Sequence, residues 1–187
     1  MGFYDNKDNV LQYIEMSRDY SGRSLIEVLA SHLEKGASLL ELGMGPGKDL
    51  DSLGKIYDVT GSDSSEVFLD IYREHNNNAN LILLDAITIN TSNKYDCIYS
   101  NKVLQHLTTD ELSQSITRQY DKLNSNGLVF HTFWYGEGTE VYNDLRFVYY
   151  KEDILADLFT NKFKVIEINR YQEEEEGDSI YLIARKS

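Results

Sequence analysis

Short apolar runs alternate with amphipathic segments along most of the 187 residues, and this alternation limits the fold more than any other feature. The apolar runs have the length of buried strands, which we expect at 38–42, 57–63, 80–86, 94–101 and 127–134. Segments with apolar residues at helical spacing lie before, between and after them, at 6–17, 22–34, 47–55, 64–75, 108–123 and 151–161. Strands that alternate with helices predict an α/β fold, with a doubly wound, mostly parallel sheet and helices on both faces.

The last two apolar segments, 163–171 and 179–186, are joined by only seven residues. A turn of that length is too short for a crossover helix, so this pair is expected to form a C-terminal antiparallel hairpin that completes a seven-stranded sheet. The acidic tract Glu173–Glu176 within the turn is interpreted as solvated. A chain of this length suits one domain over 1–187, with a helical cover at 1–34 and the sheet core at 37–187.

The formal net charge of −13 narrows the class of partner. Binding to nucleic acid or to an anionic membrane relies on Lys and Arg, so neither partner is expected. Cys97 is the single cysteine, which excludes an internal disulfide and favours a reducing cytoplasm. The sequence has neither an apolar run of bilayer length nor a secretion signal. We expect a cytoplasmic monomer or homodimer without a metal ion.

Three glycines fall within a stretch of five residues in "LLELGMGPGKDL", directly after the first predicted strand. In open α/β sheets ligands bind at the carboxyl ends of the strands, so this turn is a candidate ligand site. A pyrophosphate-binding turn requires the pattern G-x-G-x-x-G. Counted from Gly43 the pattern fails at Lys48, and counted from Gly45 it fails at Leu50. A nicotinamide-dependent oxidoreductase is therefore disfavoured.

The turn reads E-x-G-x-G-x-G and resembles motif I of the class I S-adenosylmethionine-dependent methyltransferases, which have a Rossmann-like fold. The resemblance covers about 37–135 and continues through Asp63 after the second strand, "LLDA" after the third and "YDCIYSNKVLQHL" around the fourth. It implies S-adenosyl-L-methionine as the cofactor, with Asp63 accepting hydrogen bonds from the ribose hydroxyls. The resemblance also places Asp85 and the backbone of Ala86 near the adenine amine.

The other cofactor contacts implied by the resemblance come from the turn, the strand ends and the segment "DYSGR". Glu41 either faces the methionine amino group or braces the turn, and Met44 packs on the ligand or on the turn. Tyr20 or Arg23 is expected to donate to the cofactor carboxylate. The full expected set is Tyr20, Arg23, Glu41, Gly43, Met44, Gly45, Gly47, Asp63, Ser64, Asp85, Ala86, Ser100 and Asn101.

The sequence leaves the methyl acceptor open. Enzymes that methylate amino groups of nucleic-acid bases carry D/N-P-P-Y/F after the fourth strand, where this chain has "SNKV", so that acceptor is disfavoured. The default expectation is a methyltransferase that acts on a small molecule with an oxygen, nitrogen or sulfur nucleophile. The alternatives are a protein methyltransferase and a catalytically silent module that binds the cofactor.

Two histidines are candidates for a general base, His106 after the fourth strand and His131 on the fifth, although a structural role also suits each of them. The acceptor pocket is expected to be lined from the N-terminal segment and the segment after strand five, by Tyr13, Trp134, Tyr135 and Arg146. Aromatic faces beside acidic residues favour a neutral or amine-bearing acceptor. An alternative is that Arg146 binds an acceptor carboxylate.

Overall fold

The computed structural model describes residues 3–187. Its strands are β1 (Ser38–Leu42), β2 (Asp58–Asp63), β3 (Leu81–Leu83), β4 (Tyr95–Asn101), β5 (Leu123–Trp134), β6 (Thr139–Tyr142), β7 (Leu145–Val148), β8 (Phe163–Tyr171) and β9 (Ser179–Lys186). Seven of them form one sheet in the order β3-β2-β1-β4-β5-β9-β8. Neighbours among β1 to β5 are parallel, whereas β9 is antiparallel to both β5 and β8. The predicted sheet with its C-terminal hairpin is confirmed.

Among the described residues, six α-helices accompany the strands: α1 (Lys7–Met16), α2 (Arg23–Ala30), α3 (Lys48–Leu53), α4 (Glu66–His75), α5 (Thr109–Lys122) and α6 (Glu152–Thr160). Successive strand residues point to opposite faces, so Leu39 and Leu40 of β1 join different apolar layers. Leu40 packs in one layer with Ile116 of α5 and Phe159 of α6. Leu39 packs in the other with Leu29 of α2. No helix within residues 3–187 has the length and apolar character needed to cross a membrane.

The strand order fixes where a ligand site is expected. From β1 the chain proceeds to β2 and β3 on one side, and β4 and β5 then add on the other side. The carboxyl ends of β1 and β4 therefore flank the switch point of the sheet, where ligands of this architecture bind. The glycine turn that follows β1 lies at this point.

The structure differs from the sequence expectation in three segments. β3 is shorter than 80–86, because the chain turns at Asp85, and β5 begins at Leu123 rather than at 127. β6 and β7 form an unpredicted hairpin. Its two turn residues, Asn143 and Asp144, have φ values of +49° and +62°, which suit a tight two-residue turn. The strands of this hairpin are largely exposed, so they lack the alternation of apolar and polar residues that would predict them.

Candidate functional site

The glycine turn has a left-handed backbone, with φ of +66° at Gly43, +49° at Gly45 and +82° at Gly47. A Cβ at Gly43 would lie 2.6 Å from Val103 Cγ2, so packing within the protein requires this glycine. At Gly45 the nearest atom of the described chain to such a Cβ is Tyr13 Cε1, at 3.8 Å. The backbone at Gly45 is therefore the part of the turn that a ligand can approach closely.

Three buried carboxylates lie around this turn: Glu41 on β1, Asp49 in α3 and Asp63 at the end of β2. Burial raises the pKa of each, and the Asp49 and Asp63 charges raise the pKa of Glu41 further. Glu41 Oε2 has no hydrogen-bond partner within residues 3–187, and none of the three carboxylates pairs with a cation there. Nearby like charges without a counter-charge favour a cationic ligand. The described residues contain no group arranged to hold a metal ion.

Asp63 joins the glycine turn to helix α4. Its Oδ2 accepts a hydrogen bond from the Gly45 N–H at 2.9 Å, and its Oδ1 accepts one from the Ser65 N–H at 2.8 Å. Ser65 is the N-cap of α4, where its hydroxyl accepts a hydrogen bond from the Phe68 N–H. The carboxylate is thus fixed beside the open backbone of Gly45.

Asp49 was not among the residues expected from the sequence, yet it connects α3 to the end of β4. Its Oδ2 accepts hydrogen bonds from Tyr99 Oη at 2.8 Å and from Asn101 Nδ2 at 2.9 Å. Asn101 Nδ2 also contacts Tyr20 Oη, and Asn101 Oδ1 accepts a hydrogen bond from Thr132 Oγ1 at 2.5 Å. The expected site residues Tyr20 and Asn101 therefore lie together, on the same carboxylate-lined edge as Glu41.

The N-terminal segment packs over the glycine turn and the start of α4. Tyr13 packs against Tyr4 and Phe68 with ring centroids 5.5 and 5.9 Å away, and it stands over Gly45. The Tyr4 carbonyl accepts a hydrogen bond from Ser65 Oγ at 2.6 Å. Tyr13 was expected to line the acceptor pocket, but the structure places it on the cofactor turn.

Ser100 and His131 do not reach this edge with their side chains. Both are fully buried, and Ser100 Oγ is 2.8 Å from His131 Nδ1. The other ring nitrogen of His131, Nε2, is 2.7 Å from Gln119 Oε1, and burial lowers the pKa of His131 to about 3. With both nitrogens occupied inside the core, His131 is a structural residue, and the hypothesis that it is a general base is wrong for this arrangement.

Arg23 also differs from its expected role. Its side chain is 85% exposed, and its Nε donates to Glu27 Oε1 along α2 at 3.0 Å. The guanidinium thus lies on the helix surface. Of the two donors expected for the cofactor carboxylate, only Tyr20 lies at the site.

His106 keeps the geometry of a base. Its Nδ1 is 2.6 Å from the Arg146 carbonyl, and since a carbonyl only accepts, Nδ1 carries the proton and Nε2 is the acceptor. Burial lowers the pKa of His106, and the hydrogen bond to the Arg146 carbonyl opposes part of this effect. The ring packs edge-on against Phe147, with centroids 4.8 Å apart. Arg146 contributes its backbone here, while its side chain is exposed.

The expected residues that follow the central strands are held by local contacts. Met44 is buried with Leu50 and Leu69, so it packs on the turn itself. Asp85 Oδ1 accepts hydrogen bonds from the two backbone N–H groups of Ile87 and Thr88, at 3.0 and 2.8 Å. The remaining two members of the expected set follow β2 and β3: Ser64, which is exposed, and Ala86, whose carbonyl accepts a hydrogen bond from Ser115 Oγ.

Two charged residues that the sequence did not predict as site residues lie at the same end of the sheet, near β5 and β9. Lys102 Nζ lies 3.4 Å from the centroid of the Trp134 ring. Glu173, in the turn between β8 and β9, is half-buried, and the Lys102 charge opposes the rise in its pKa that burial causes. The acidic turn is therefore not wholly solvated. The Tyr135 ring packs against the Arg170 guanidinium, whose Cζ lies 3.6 Å from the ring centroid.

Comparison with known proteins agrees with this geometry. The family model described as "Methyltransferase domain" matches residues 39–127, the segment from β1 into β5. No curated protein matches the chain by sequence.

Solved structures resemble the whole fold at low sequence identity. The 1,6-didemethyltoxoflavin-N1-methyltransferase of Burkholderia thailandensis, bound to 1,6-didemethyltoxoflavin and S-adenosylhomocysteine, has a TM-score of 0.79 at 17% identity, over 97% of this chain and 87% of that one. An S-adenosylmethionine-dependent methyltransferase from Clostridium acetobutylicum has a TM-score of 0.77 at 12% identity, over 97% of this chain and 100% of that one. The N-methyltransferase NodS of Bradyrhizobium japonicum, in complex with S-adenosylhomocysteine, has a TM-score of 0.69 at 14% identity, over 88% of this chain and 84% of that one.

The methyltransferase-domain model matches a little under half of the chain, and the described residues have the fold of the class I S-adenosylmethionine-dependent methyltransferases. The resemblance seen in the sequence is thereby confirmed.

Proposed function

We propose that this protein binds S-adenosylmethionine at the glycine turn and transfers its methyl group to a small-molecule acceptor with an oxygen, nitrogen or sulfur nucleophile. The proposal is supported by the open backbone of Gly45 amid the buried carboxylates Glu41, Asp49 and Asp63, with which no cation within residues 3–187 pairs. S-adenosylmethionine carries a sulfonium and an ammonium, so its charges complement this cluster.

Individual residues would take distinct parts in cofactor binding. Asp63 would accept hydrogen bonds from the ribose hydroxyls, and Asp85 would lie near the adenine. The Tyr20 hydroxyl, which contacts Asn101, would donate to the cofactor carboxylate, while Glu41, with an oxygen free of partners within residues 3–187, would bind the ammonium. Tyr13 would cover the bound cofactor and exclude water.

The cofactor supplies a methyl group that its sulfonium has already activated. The protein then has to align the acceptor with that methyl, and such alignment can contribute several kcal/mol of barrier lowering. A base is needed only for acceptors that must lose a proton. His106, with Nε2 free to accept, is one candidate among the described residues.

A small-molecule acceptor is supported by the absence of a basic surface in the sequence and by the acceptor named for the toxoflavin enzyme. The NodS structure is likewise of an N-methyltransferase bound to S-adenosylhomocysteine, the product of the cofactor. A cytoplasmic location, without nucleic-acid or membrane partners, is proposed from the net charge of −13 and the unpaired Cys97. Whether the protein is a monomer or a homodimer stays a prediction.

A matched library of amines, phenols, thiols and carboxylic acids tests the proposal through release of S-adenosylhomocysteine. We expect turnover with a neutral or amine-bearing member, and none with Gly45→Val, whose side chain would occupy the open backbone. Cofactor binding without turnover by any small molecule or peptide would support the catalytically silent module. Turnover with peptides alone would support the protein methyltransferase, and turnover with carboxylic acids alone would contradict the expected charge preference.

A further inference from the structure

Lys102 follows β4, and both of its neighbours in the chain contact the glycine turn or the carboxylates around it. The preceding residue, Asn101, bonds to Asp49, and the following residue, Val103, packs against Gly43. Lys102 itself has φ of +58°, a left-handed conformation that costs a residue with a side chain of this kind about 1 kcal/mol. Backbone strain of this sort persists where the surroundings impose it and is concentrated at functional sites.

The Lys102 side chain is held by neutral groups. Nζ donates to the Phe133 carbonyl at 3.2 Å and to Ser179 Oγ at 2.6 Å, and it lies over the Trp134 ring. No carboxylate of residues 3–187 comes within 4.0 Å of it. Two acceptors use two of its N–H bonds, which leaves one position on nitrogen for a third proton or a lone pair.

The surrounding acidic charges offset only part of the effect of burial on the Lys102 pKa. Burial lowers the pKa of Lys102 to about 7, although Glu173, Asp178 and Glu174 each act to raise it. Tyr171 also faces it, with its ring centroid 5.5 Å from Nζ. Burial raises the pKa of Tyr171, so this phenol stays neutral.

We propose that Lys102 is a catalytic base that accepts the proton released by the methyl acceptor, and this proposal rests on the proposed function. The acceptor X–H forms the X–CH₃ bond as the S–CH₃ bond breaks and its electron pair moves to sulfur. The proton of X–H goes to Lys102 Nζ, which becomes an ammonium and later returns the proton to solvent. The acceptor would bind among Lys102, Trp134, Tyr171 and Glu173, which gives the site an aromatic wall and a nearby carboxylate.

This assignment gives Lys102 the role for which the sequence suggested a histidine. His131 is enclosed in the core, and His106 lies against Phe147 of the exposed β6–β7 hairpin. Lys102 instead lies between two residues that contact the cofactor turn or its carboxylates. His106→Asn therefore tests the competing candidate base. Lys102→Arg keeps the positive charge but does not deprotonate in the working pH range.

The first measurement does not depend on activity. Lysine labelled with ¹³C at Cε is followed by NMR as pH is varied, in the complex with S-adenosylhomocysteine, and the Lys102 signal is assigned by its loss in Lys102→Arg. We expect a titration midpoint near pH 7 for this signal. A midpoint near the ordinary lysine value of about 10.4 would overturn the proposal. Failure of the parent to bind S-adenosylhomocysteine in calorimetry would instead refute the proposed function.

The second measurement uses the acceptor that the library screen returns. Lys102→Arg is expected to bind S-adenosylhomocysteine as the parent does while its kcat at pH 8 falls by roughly 100-fold or more. The rise of the parent's kcat through about pH 7 should be absent in Lys102→Arg and present in His106→Asn. A Lys102→Arg enzyme with the kcat and pH profile of the parent would overturn the proposal, as would loss of the profile in His106→Asn alone.

Discussion

Replacing Asp63 by alanine is expected to weaken both the folded protein and its cofactor binding. In the structure the Asp63 carboxylate accepts hydrogen bonds from the Gly45 and Ser65 N–H groups. Hydrogen bonds to a charged group contribute about 1.5–3 kcal/mol each. Removing the carboxylate also removes the cost of burying its charge, which is the cost that raises its pKa. The net loss of stability is therefore smaller than the sum of the two hydrogen bonds, at about 2 kcal/mol.

A loss of about 2 kcal/mol corresponds to a fall of about 4–8 °C in Tm for a chain of this size. Urea unfolding and calorimetric scans without ligand measure this part. The ribose contact adds a separate effect, because its loss is expected to weaken S-adenosylmethionine binding by a further 1.5–3 kcal/mol, or roughly 10- to 150-fold. Titration calorimetry measures that part at a temperature where the variant is folded.

The matched control is Asp58→Ala, which removes the same side chain from the exposed start of β2. Asp58→Ala should retain the Tm and the affinity of the parent. Asp63→Asn keeps one accepting oxygen and should fall between the parent and Asp63→Ala. If Asp63→Ala binds the cofactor as tightly as Asp58→Ala does, the ribose assignment is refuted, whatever happens to Tm.

Three further results are expected. Hydrogen exchange over 5–23 should slow when S-adenosylhomocysteine binds beneath the N-terminal segment, and equal rates in both states would contradict its role as a cover. Asp178→Ala should speed exchange over 172–178, since its carboxylate accepts three backbone N–H bonds at 2.9 Å; unchanged rates would show that the turn is held otherwise. His131 is neutral in the fold but protonates when unfolded, so its contribution to the free energy of unfolding should fall by about 2 kcal/mol from pH 7 to pH 5. In urea unfolding, the stability of the parent relative to His131→Gln should therefore fall by about 2 kcal/mol over this range, whereas its stability relative to a variant of the exposed His75, His75→Gln, should not, and an equal pH dependence in the parent and His131→Gln would refute the assignment.

The features that the sequence predicted well depend on local spacing. Short sequence patterns predicted β1, the glycine turn that follows it and the position of Asp63 at the end of β2. The structure brings Gly45 and Asp63 within hydrogen-bond distance. The alternation of strands and helices likewise predicted the sheet, because each crossover has a visible length and periodicity.

The features that the sequence missed depend on contacts between distant segments. Asp49 is bonded to Tyr99, 50 positions away, and nothing in its own helix indicates that its carboxylate turns inward. Lys102 acquires its environment from β5 and β9, and Glu173 from the fold of its turn. The role of His131 was ambiguous because β5 is buried on both faces. An apolar run of this kind does not show whether a side chain points into the core or into the candidate site.

The central claim is that the backbone of Gly45 receives S-adenosylmethionine. Titration calorimetry of the parent, Gly45→Val and Gly36→Val with S-adenosylmethionine and with NADH tests it most directly. Gly36 shares the left-handed backbone, with φ of +79°, and has open space around it, so its variant controls for strain alone. We predict that the parent and Gly36→Val bind S-adenosylmethionine and not NADH, while Gly45→Val binds neither. A parent that binds NADH but not S-adenosylmethionine, or a Gly45→Val variant with the affinity of Gly36→Val, would contradict the claim.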